Sequence, residues 1–276
     1  RAGMAGKLSQ IQHFAALLQP LLHTAFPPES AKERDGRALE VIDAGSGKGY
    51  LTFALAHLLG PGFRVRGLEA RPELVAFCNQ VAERHDLLIC SDEVYEHLIF
   101  DGRRHESVLR YPALAARSFV VSSFGKTYHI TGWKIGYCIA PTFLTTEFRK
   151  LHQWVTFSSA TPFQYALADY LKEPAHYLGL SDFYQKKRDL FASQFAGSAW
   201  KVLPSAGSFF QCLDYSAISN EKDVDLADRL TREIKVASIP VSVFYETDPG
   251  DKILRFCFAK EDEVLLEAAK RLVQLA

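Results

Sequence analysis

Two patterns of hydrophobic positions alternate along most of this chain. Short runs of consecutive apolar residues, typical of strands buried on both faces of a parallel sheet, are separated by stretches with the spacing of helices. The runs that predict strands of this sheet span residues 38–42, 63–68, 87–90, 118–122 and 135–140. The alternation predicts an α/β fold, with a mainly parallel sheet and helices on both faces.

Helical spacing follows the last of these strands, and the pattern then changes after about residue 181. Residues 144–171 have helical spacing with an interruption at 158–162, and a long helix is predicted from about residue 181. Short predicted strands at 209–213 and 253–258 follow, and a last helix begins after Glu261. This order predicts a smaller C-terminal α+β domain.

Composition excludes several classes of function. The 276 residues carry 32 basic and 32 acidic side chains, so no net charge favours a nucleic acid or an anionic membrane. We see neither an apolar run long enough to span a membrane nor a signal-peptide core. The five cysteines are odd in number and widely spaced, which indicates buried reduced thiols rather than disulfides or a metal site. We therefore expect a cytoplasmic protein with small-molecule ligands and no bound metal.

Reactive side chains follow two of the predicted strands. Lys126 lies in a Ser-Ser-Phe-Gly-Lys-Thr segment after one strand, and Asp92 and Tyr95 follow another. Ligands of open α/β sheets bind at this edge, outside the carboxyl ends of the strands. A lone lysine at such a position is more often one that reaches the surface. The combination with a carboxylate and a phenol favours a functional site.

Chemistry that uses a pyridoxal cofactor requires these residue types. A lysine amine forms a Schiff base and moves the proton at the α-carbon, and a carboxylate keeps the pyridine nitrogen protonated. A phenol interacts with the ring oxygen, and hydroxyls and cations bind the phosphate. Lys126, Asp92 and Tyr95 supply the first three groups. Ser123 and Lys134 are the candidates for the phosphate.

Three segments resemble class I aminotransferases that depend on pyridoxal phosphate, within the group of methionine and kynurenine aminotransferases. They are SDEVYEH (91–97), SSFGKTYH (122–129) and TGWKIGY (131–137), and the resemblance extends from about residue 81 to the C-terminus. It implies transamination between an amino acid of the methionine or aromatic type and a 2-oxo acid, in a homodimer.

The same resemblance assigns a role to each residue. Lys126 would carry the cofactor, Asp92 would contact its ring nitrogen, and Tyr95 its ring oxygen. Ser123 and Lys134 would bind its phosphate. Arg255, in the segment LRFCFAK, would bind the substrate α-carboxylate, a role that suits a planar guanidinium because it can donate two parallel hydrogen bonds.

The N-terminal third resembles a different family. The turn DAGSGKGY (43–50) lies between a predicted strand and a predicted helix, and glycines there let the backbone approach an anion. With its flanks and the segment GKLSQIQ (6–12), it resembles motif I of Rossmann-like methyltransferases that use S-adenosylmethionine. That resemblance implies a cofactor site made of Asp43, Gly45, Gly47, Gly49 and Glu69. Alternatively, Gly45, Ser46 and Gly47 replace the phosphate-binding turn of the aminotransferase.

We therefore interpret the chain as a chimera of two α/β proteins. Residues 1–80 form a methyltransferase-like half-Rossmann segment, 81–180 the cofactor-binding segment of an aminotransferase large domain, and 181–276 its C-terminal small domain. We find no counterpart of the family's cofactor-stacking aromatic residue, its ring-oxygen asparagine or its Asn-Pro-rich segment. Transamination that depends on pyridoxal phosphate is the leading hypothesis, with turnover that the replaced N-terminal part could weaken or abolish. The alternatives are a methyltransferase-like protein that binds S-adenosylmethionine and a chimeric scaffold without catalysis.

Overall fold

The computed structural model describes the backbone of residues 39–44 and 63–68, and also Ala82, Arg84 and residues 87–245 and 249–275 with their side chains. These residues divide into two compact units. The first comprises the described residues up to Val94 together with Glu106–Lys172. The second comprises Tyr95–His105 and Glu173–Ala276.

A five-stranded sheet forms the centre of the first unit, in the order β2-β1-β3-β4-β5. Its strands are β1 (Leu39–Ala44), β2 (Phe63–Leu68), β3 (Leu88–Asp92), β4 (Ser118–Ser123) and β5 (Gly136–Ile139). The first four strands pair in parallel, as the runs of apolar residues predict. This sheet confirms the α/β fold class and the predicted positions of all five strands, to within a residue or two at each end.

The direction of β5 differs from the expectation. We expected another parallel strand, but β5 pairs antiparallel with β4, and Ser123 lies opposite Gly136. The twelve residues between the two strands form only short helical turns, namely α2 (Phe124–Thr127) and a 3-10 turn (Thr131–Trp133). Neither is long enough to carry the chain back along the sheet, so the next strand runs in the opposite direction.

The structure also describes helices in the first unit. They are α1 (Pro112–Ala115), α2, α3 (Thr142–Val155) and α4 (Thr161–Tyr170). The break between α3 and α4 confirms the predicted interruption. Leu87, Ile89 and Leu114 form an apolar cluster with Ala82. Ser118, fully buried on β4, donates a hydrogen bond of 2.6 Å from its hydroxyl to the carbonyl oxygen of Leu114, which offsets the cost of burying the hydroxyl.

The second unit has an antiparallel sheet and an aromatic core. Its α-helices are α5 (Ala175–Leu178), α6 (Leu180–Ser193), α7 (Asp223–Arg229) and α8 (Asp262–Val273). Its strands are β6 (Lys201–Val202), β7 (Phe210–Asp214), β8 (Ile239–Pro240) and β9 (Ile253–Cys257). In the sheet they lie in the order β6-β7-β9-β8. Tyr184, Phe191, Tyr215 and Phe256 belong to its buried core. The predicted α+β character and the last helix are confirmed.

Cysteine burial was predicted only in part correctly. Cys90, Cys138, Cys212 and Cys257 are reduced thiols, and none of these four forms a disulfide. The first three are half-buried, whereas Cys257 is exposed at the end of β9, because alternate residues of this strand face the core. No helix among the described residues has the length and apolarity needed to cross a membrane.

Candidate active site

The carboxyl ends of β3 and β4 bring the central candidates together. The two strands are parallel neighbours, with Asp92 opposite Val121. Asp92 is the last residue of β3, and β4 ends at Ser123, three residues before Lys126. The parallel pairing therefore places the carboxylate and the amine at one edge of the sheet, as the sequence predicts.

The environment of Asp92 sets the protonation of its carboxyl group. The side chain is accessible to solvent, yet surrounding atoms desolvate it in part, which raises its pKa above the ordinary value. A hydrogen bond from the backbone N–H of Val94 and the positive charge of Lys126 both lower the pKa, and the charge of Glu93 raises it. The interaction with Lys126 shows that the two groups lie within electrostatic range of one another.

Glu93 anchors this edge from the interior. Only 6% of its surface is exposed, and its carboxylate accepts hydrogen bonds from the Ser91 hydroxyl at 2.9 Å and from the Val108 N–H at 3.1 Å. The Ser122 hydroxyl donates to the backbone carbonyl of Glu93 at 3.4 Å. Glu93 thus joins β3, β4 and the loop that precedes α1. We did not identify Glu93 from the sequence, although a second carboxylate directly after Asp92 was a usable signal.

Ser123 shapes the turn that carries Lys126. Its hydroxyl accepts a hydrogen bond of 3.2 Å from the N–H of Gly125 and so caps α2, on which Lys126 is half-buried. A Cβ atom on Gly125 would lie 2.9 Å from the Cα of Thr131, so the turn is closely packed against the segment that follows. This packing fixes the position of α2 at the end of β4.

Lys134 reaches the same edge from β5. It ends the 3-10 turn in a left-handed conformation, with φ of 56° and ψ of 41°. It lies two residues before Gly136, which pairs with Ser123. The structure therefore brings Lys126, Asp92, Ser123 and Lys134 to the ends of neighbouring strands in the first unit.

Tyr95 and Arg255 belong to the second unit. The Tyr95 ring packs edge-on against Phe209, with centroids 5.2 Å apart. Arg255 lies in β9, and its guanidinium carbon lies over the rings of Phe210 and Phe244. Among the proposed site residues, these two contribute a phenol and a guanidinium.

The glycine turn lies mostly outside the described residues. This applies to Gly45, Ser46, Gly47, Gly49 and Glu69, so their assignments stay predictions. Only the backbone of Asp43 is described, within β1. Because β1 ends at Ala44, opposite Ser91, the chain leaves β1 beside the carboxyl end of β3. The end of β1 thus lies at the edge that carries Asp92.

The groups at this edge suit pyridoxal phosphate. A primary amine can bind the cofactor aldehyde, and a partly desolvated carboxylate can pair with a cationic ring nitrogen. A capping hydroxyl and a second lysine are suitable partners for a phosphate. Within the described part of the chain, no cluster of His, Cys, Asp and Glu side chains has the arrangement of a metal site.

Comparison with known proteins agrees with this set of groups. The family model of class I and II aminotransferases matches residues 70–272. The chain belongs to this family. Pyridoxal phosphate is the cofactor on which class I aminotransferases depend. The N-terminal part, residues 6–108, is also similar to a methyltransferase domain. Both resemblances seen in the sequence are thereby confirmed.

Individual aminotransferases show how far the similarity extends. The methionine aminotransferase of Escherichia coli is 50% identical over 197 residues, which are 71% of this chain and 51% of that protein. The kynurenine–oxoglutarate transaminase of Dictyostelium discoideum is 32% identical over 229 residues, which cover 75% of this chain and 53% of that protein. The chain spans about half the length of the curated aminotransferases it matches.

A solved aminotransferase structure supports the fold. The crystal structure of YbdL from Escherichia coli, for which a methionine aminotransferase function was identified, superposes with a TM-score of 0.76 and 39% identity. The match covers 86% of this chain and 72% of YbdL. The α/β fold is therefore that of an aminotransferase.

Proposed function

We propose that this chain binds pyridoxal phosphate at the carboxyl ends of β3 and β4 and transfers an amino group from an amino acid to a 2-oxo acid. The observation that carries this proposal is that Asp92, at the end of β3, and Lys126, on α2 directly after the neighbouring parallel strand β4, lie within electrostatic range of one another. The similarity to methionine and kynurenine aminotransferases supports an amino acid of the methionine or aromatic type.

Each residue has a defined task in this proposal. Lys126 holds the cofactor, and its Nζ atom removes and returns the proton at the substrate α-carbon. Asp92 keeps the ring nitrogen protonated, and Tyr95 donates to the ring oxygen. Ser123 and Lys134 bind the phosphate, and backbone N–H groups of Gly45, Ser46 and Gly47 complete its site. When bound, the cofactor supplies an electron sink for the electrons left at the α-carbon.

Arg255 provides the substrate contact. Its guanidinium can donate two parallel hydrogen bonds to an α-carboxylate, which every amino acid and 2-oxo acid carries. We expect turnover to be impaired, because the N-terminal part of the chain is similar to a methyltransferase domain instead of the N-terminal part of an aminotransferase. Residues 1–80, 81–180 and 181–276 remain our proposed segments.

Reduction of the cofactor-loaded protein tests the role of Lys126. Incubation of the full chain with pyridoxal phosphate, followed by borohydride, digestion and mass spectrometry, should find the pyridoxyl group on the peptide of Lys126. Lys126→Ala should abolish this label, whereas Lys134→Ala should keep it at lower occupancy because only a phosphate contact is removed. A label on a different lysine in the parent, or no label at all, would contradict the proposal.

A second candidate function is binding of S-adenosylmethionine, which the methyltransferase-domain match over residues 6–108 supports. In that case Asp43, Gly45, Gly47, Gly49 and Glu69 form the site, and Glu69 binds the ribose. Calorimetry of the same preparation with each cofactor separates the candidates. Binding of S-adenosylmethionine that Glu69→Ala abolishes, without binding of pyridoxal phosphate, favours the second candidate. If the protein binds neither cofactor, the result favours the third alternative, a chimeric scaffold without catalysis.

The surface of the first unit supports the homodimer that we propose. Trp154 is 84% exposed and Phe157 is 81% exposed, and exposed Phe163, Tyr165 and Tyr170 follow on α4. Exposed aromatic residues in such density are typical of protein interfaces, where their burial stabilises the complex. A second copy of the chain is the occupant that we propose for this surface.

A further inference from the structure

Two aromatic rings enclose Arg255 in the second unit. The guanidinium carbon lies 4.1 Å from the ring centroid of Phe210 and 4.9 Å from that of Phe244. Phe210 belongs to β7, which pairs with β9 so that Cys212 lies opposite Arg255. Phe210 is thus the diagonal neighbour of Arg255 across the two strands, which is within reach of an aromatic side chain.

The second ring comes from the other side of β9. Ile239 of β8 lies opposite Arg255, and Phe244 belongs to the 3-10 turn Ser242–Phe244 that follows β8. Phe244 is itself buried. Arg255 therefore lies between side chains supplied by the two neighbours of its own strand.

A buried carboxylate fixes the turn that carries Phe244. Asp223, which is 3% exposed, is the first residue of α7. Its two oxygens accept hydrogen bonds from the N–H of Ser242 at 2.6 Å and from the Ser242 hydroxyl at 2.5 Å. Because both bonds end on a charged group, the turn is held to α7 more firmly than by neutral hydrogen bonds.

This enclosure restricts the guanidinium without using its hydrogen-bonding capacity. Cation–π contacts are made through the face of the planar group, whereas its N–H donors point outward in the plane. A flexible arginine loses side-chain entropy when it binds a carboxylate, and a group that is already restricted loses less. The two rings should therefore increase the affinity of Arg255 for a carboxylate.

We propose that Phe210 and Phe244 are positioning residues that orient Arg255 for the α-carboxylate of the substrate. This inference rests on the proposed function of Arg255. It also defines the selectivity of this part of the site: the enclosed guanidinium discriminates for the carboxylate and is indifferent to the amino-acid side chain. Asp223 acts one step further away, through Ser242 and the turn.

Ligand binding by the cofactor-loaded full chain tests the proposal. The probes are methionine, 4-(methylthio)butanoate, which keeps the carboxylate but lacks the amino group, and 3-(methylthio)propylamine, which lacks the carboxylate. Phe210→Leu and Phe244→Leu should each weaken binding of the two carboxylates by about 3- to 30-fold. Binding of the amine and the absorption spectrum of the cofactor should not change. For methionine turnover, the effect should appear in KM and not in kcat.

Two conservative variants and a surface control accompany this test. Phe244→Tyr should bind the carboxylate probes as tightly as the parent does, because it keeps an aromatic face. Asp223→Asn should lower the affinity for these probes less than Phe244→Leu does. Phe183→Leu is the control. Phe183 is 49% exposed, and its ring centroid lies 5.1 Å from the Nζ atom of Lys187, so this variant also removes a ring that contacts a cation. It should change none of the affinities.

The possible results distinguish the role of Arg255 from the role of the two aromatic rings. If Arg255→Ala does not weaken binding of the two carboxylate probes, or if the parent does not bind them, the proposed role of Arg255 is wrong. The inference about Phe210 and Phe244 is then wrong as well. If Arg255→Ala weakens binding of the carboxylate probes but both leucine variants bind them as tightly as the parent does, only the inference about the two rings is overturned. Equal losses for the amine and the carboxylates would also overturn it, because they would indicate general disruption. A leucine variant that does not fold is replaced by Phe244→Met, with the same expectation.

Discussion

At the scale of single residues, the adjacent carboxylates at the end of β3 have opposite environments. Asp92, the last residue of β3, is accessible to solvent, whereas Glu93, directly after it, is buried and accepts hydrogen bonds from Ser91 and Val108. The alternation of side chains along a strand produces this difference, since neighbouring residues point to opposite faces. Glu93 stabilises the edge of the sheet, and Asp92 remains available to a ligand.

Asp92→Asn should increase the stability of the cofactor-free protein while slowing its chemistry. Desolvation raises the pKa of Asp92, so ionisation is less favourable in the folded than in the unfolded state. The carboxyl thus opposes folding above its ordinary pKa and has no such effect below it, where it is protonated in both states. The urea midpoint of the variant should exceed that of the parent at pH 7, and the difference should shrink as the pH falls toward 4.

In the same variant, the half-reaction with methionine should slow far more than cofactor occupancy falls. An amide cannot keep the ring nitrogen protonated, whereas the phosphate contacts remain. Asp251→Asn, the same substitution at an exposed position of the second unit, is a control for both measurements. A parental half-reaction rate in Asp92→Asn, or a gain in stability that is independent of pH, would be incompatible with this assignment.

At the scale of elements, the close approach of β4 and β5 holds the site together. A Cβ atom on Gly136 would overlap the carbonyl oxygen of Ser122, one residue before the cap of α2. Gly136 therefore permits a distance between the two strands that no larger residue allows. The turn that carries Lys126 depends on this contact, because both of its ends are fixed by β4 and β5.

Gly136→Ala should destabilise the protein by about 1–3 kcal/mol, because the added methyl group forces the backbone apart. Gly132→Ala is the matched control, since a Cβ atom there meets nothing within 4 Å among the described atoms. Urea unfolding of both variants measures the difference. Equal free energies of unfolding for the two variants would show that the strands adapt at no cost.

At the scale of the whole molecule, large aromatic residues on and beside α3 and α4 are exposed to solvent in a single copy of the chain, and the packing of that copy does not account for them. Helices at the surface normally expose polar residues, and their apolar side chains face the core. Here Trp154 and Phe157, at the C-terminal end of α3 and after it, are almost fully exposed. Association of two copies through this surface would remove them from water.

Trp154→Glu should shift the protein from dimer to monomer in sedimentation velocity, because a charge replaces the most exposed large apolar side chain of the proposed interface. Val264→Glu provides the matched control: Val264 is 53% exposed on α8, outside this surface. It should leave the dimer intact. A monomeric parent, or a Trp154→Glu dimer as stable as the parent, would exclude this surface as the interface.

The sequence by itself determined the positions of the strands and predicted Asp92 and Lys126 as the central candidates for the site. Apolar periodicity is a local property that reports which residues are buried, and it located β1 to β5. Asp92 and Lys126 were recognisable because each follows a strand, and parallel strands end at a common edge. Short motifs then identified the aminotransferase family, since they preserve both residue type and spacing.

Only the tertiary structure decided how distant segments meet. The reversal of β5, the burial of Glu93 against the loop before α1, and the enclosure of Arg255 by Phe210 and Phe244 all depend on strand register and chain direction. A hydrophobic pattern is the same for a parallel and an antiparallel neighbour, and it does not specify which residue faces which. These contacts follow from long-range packing, and they determine how the local chemistry of the site is oriented.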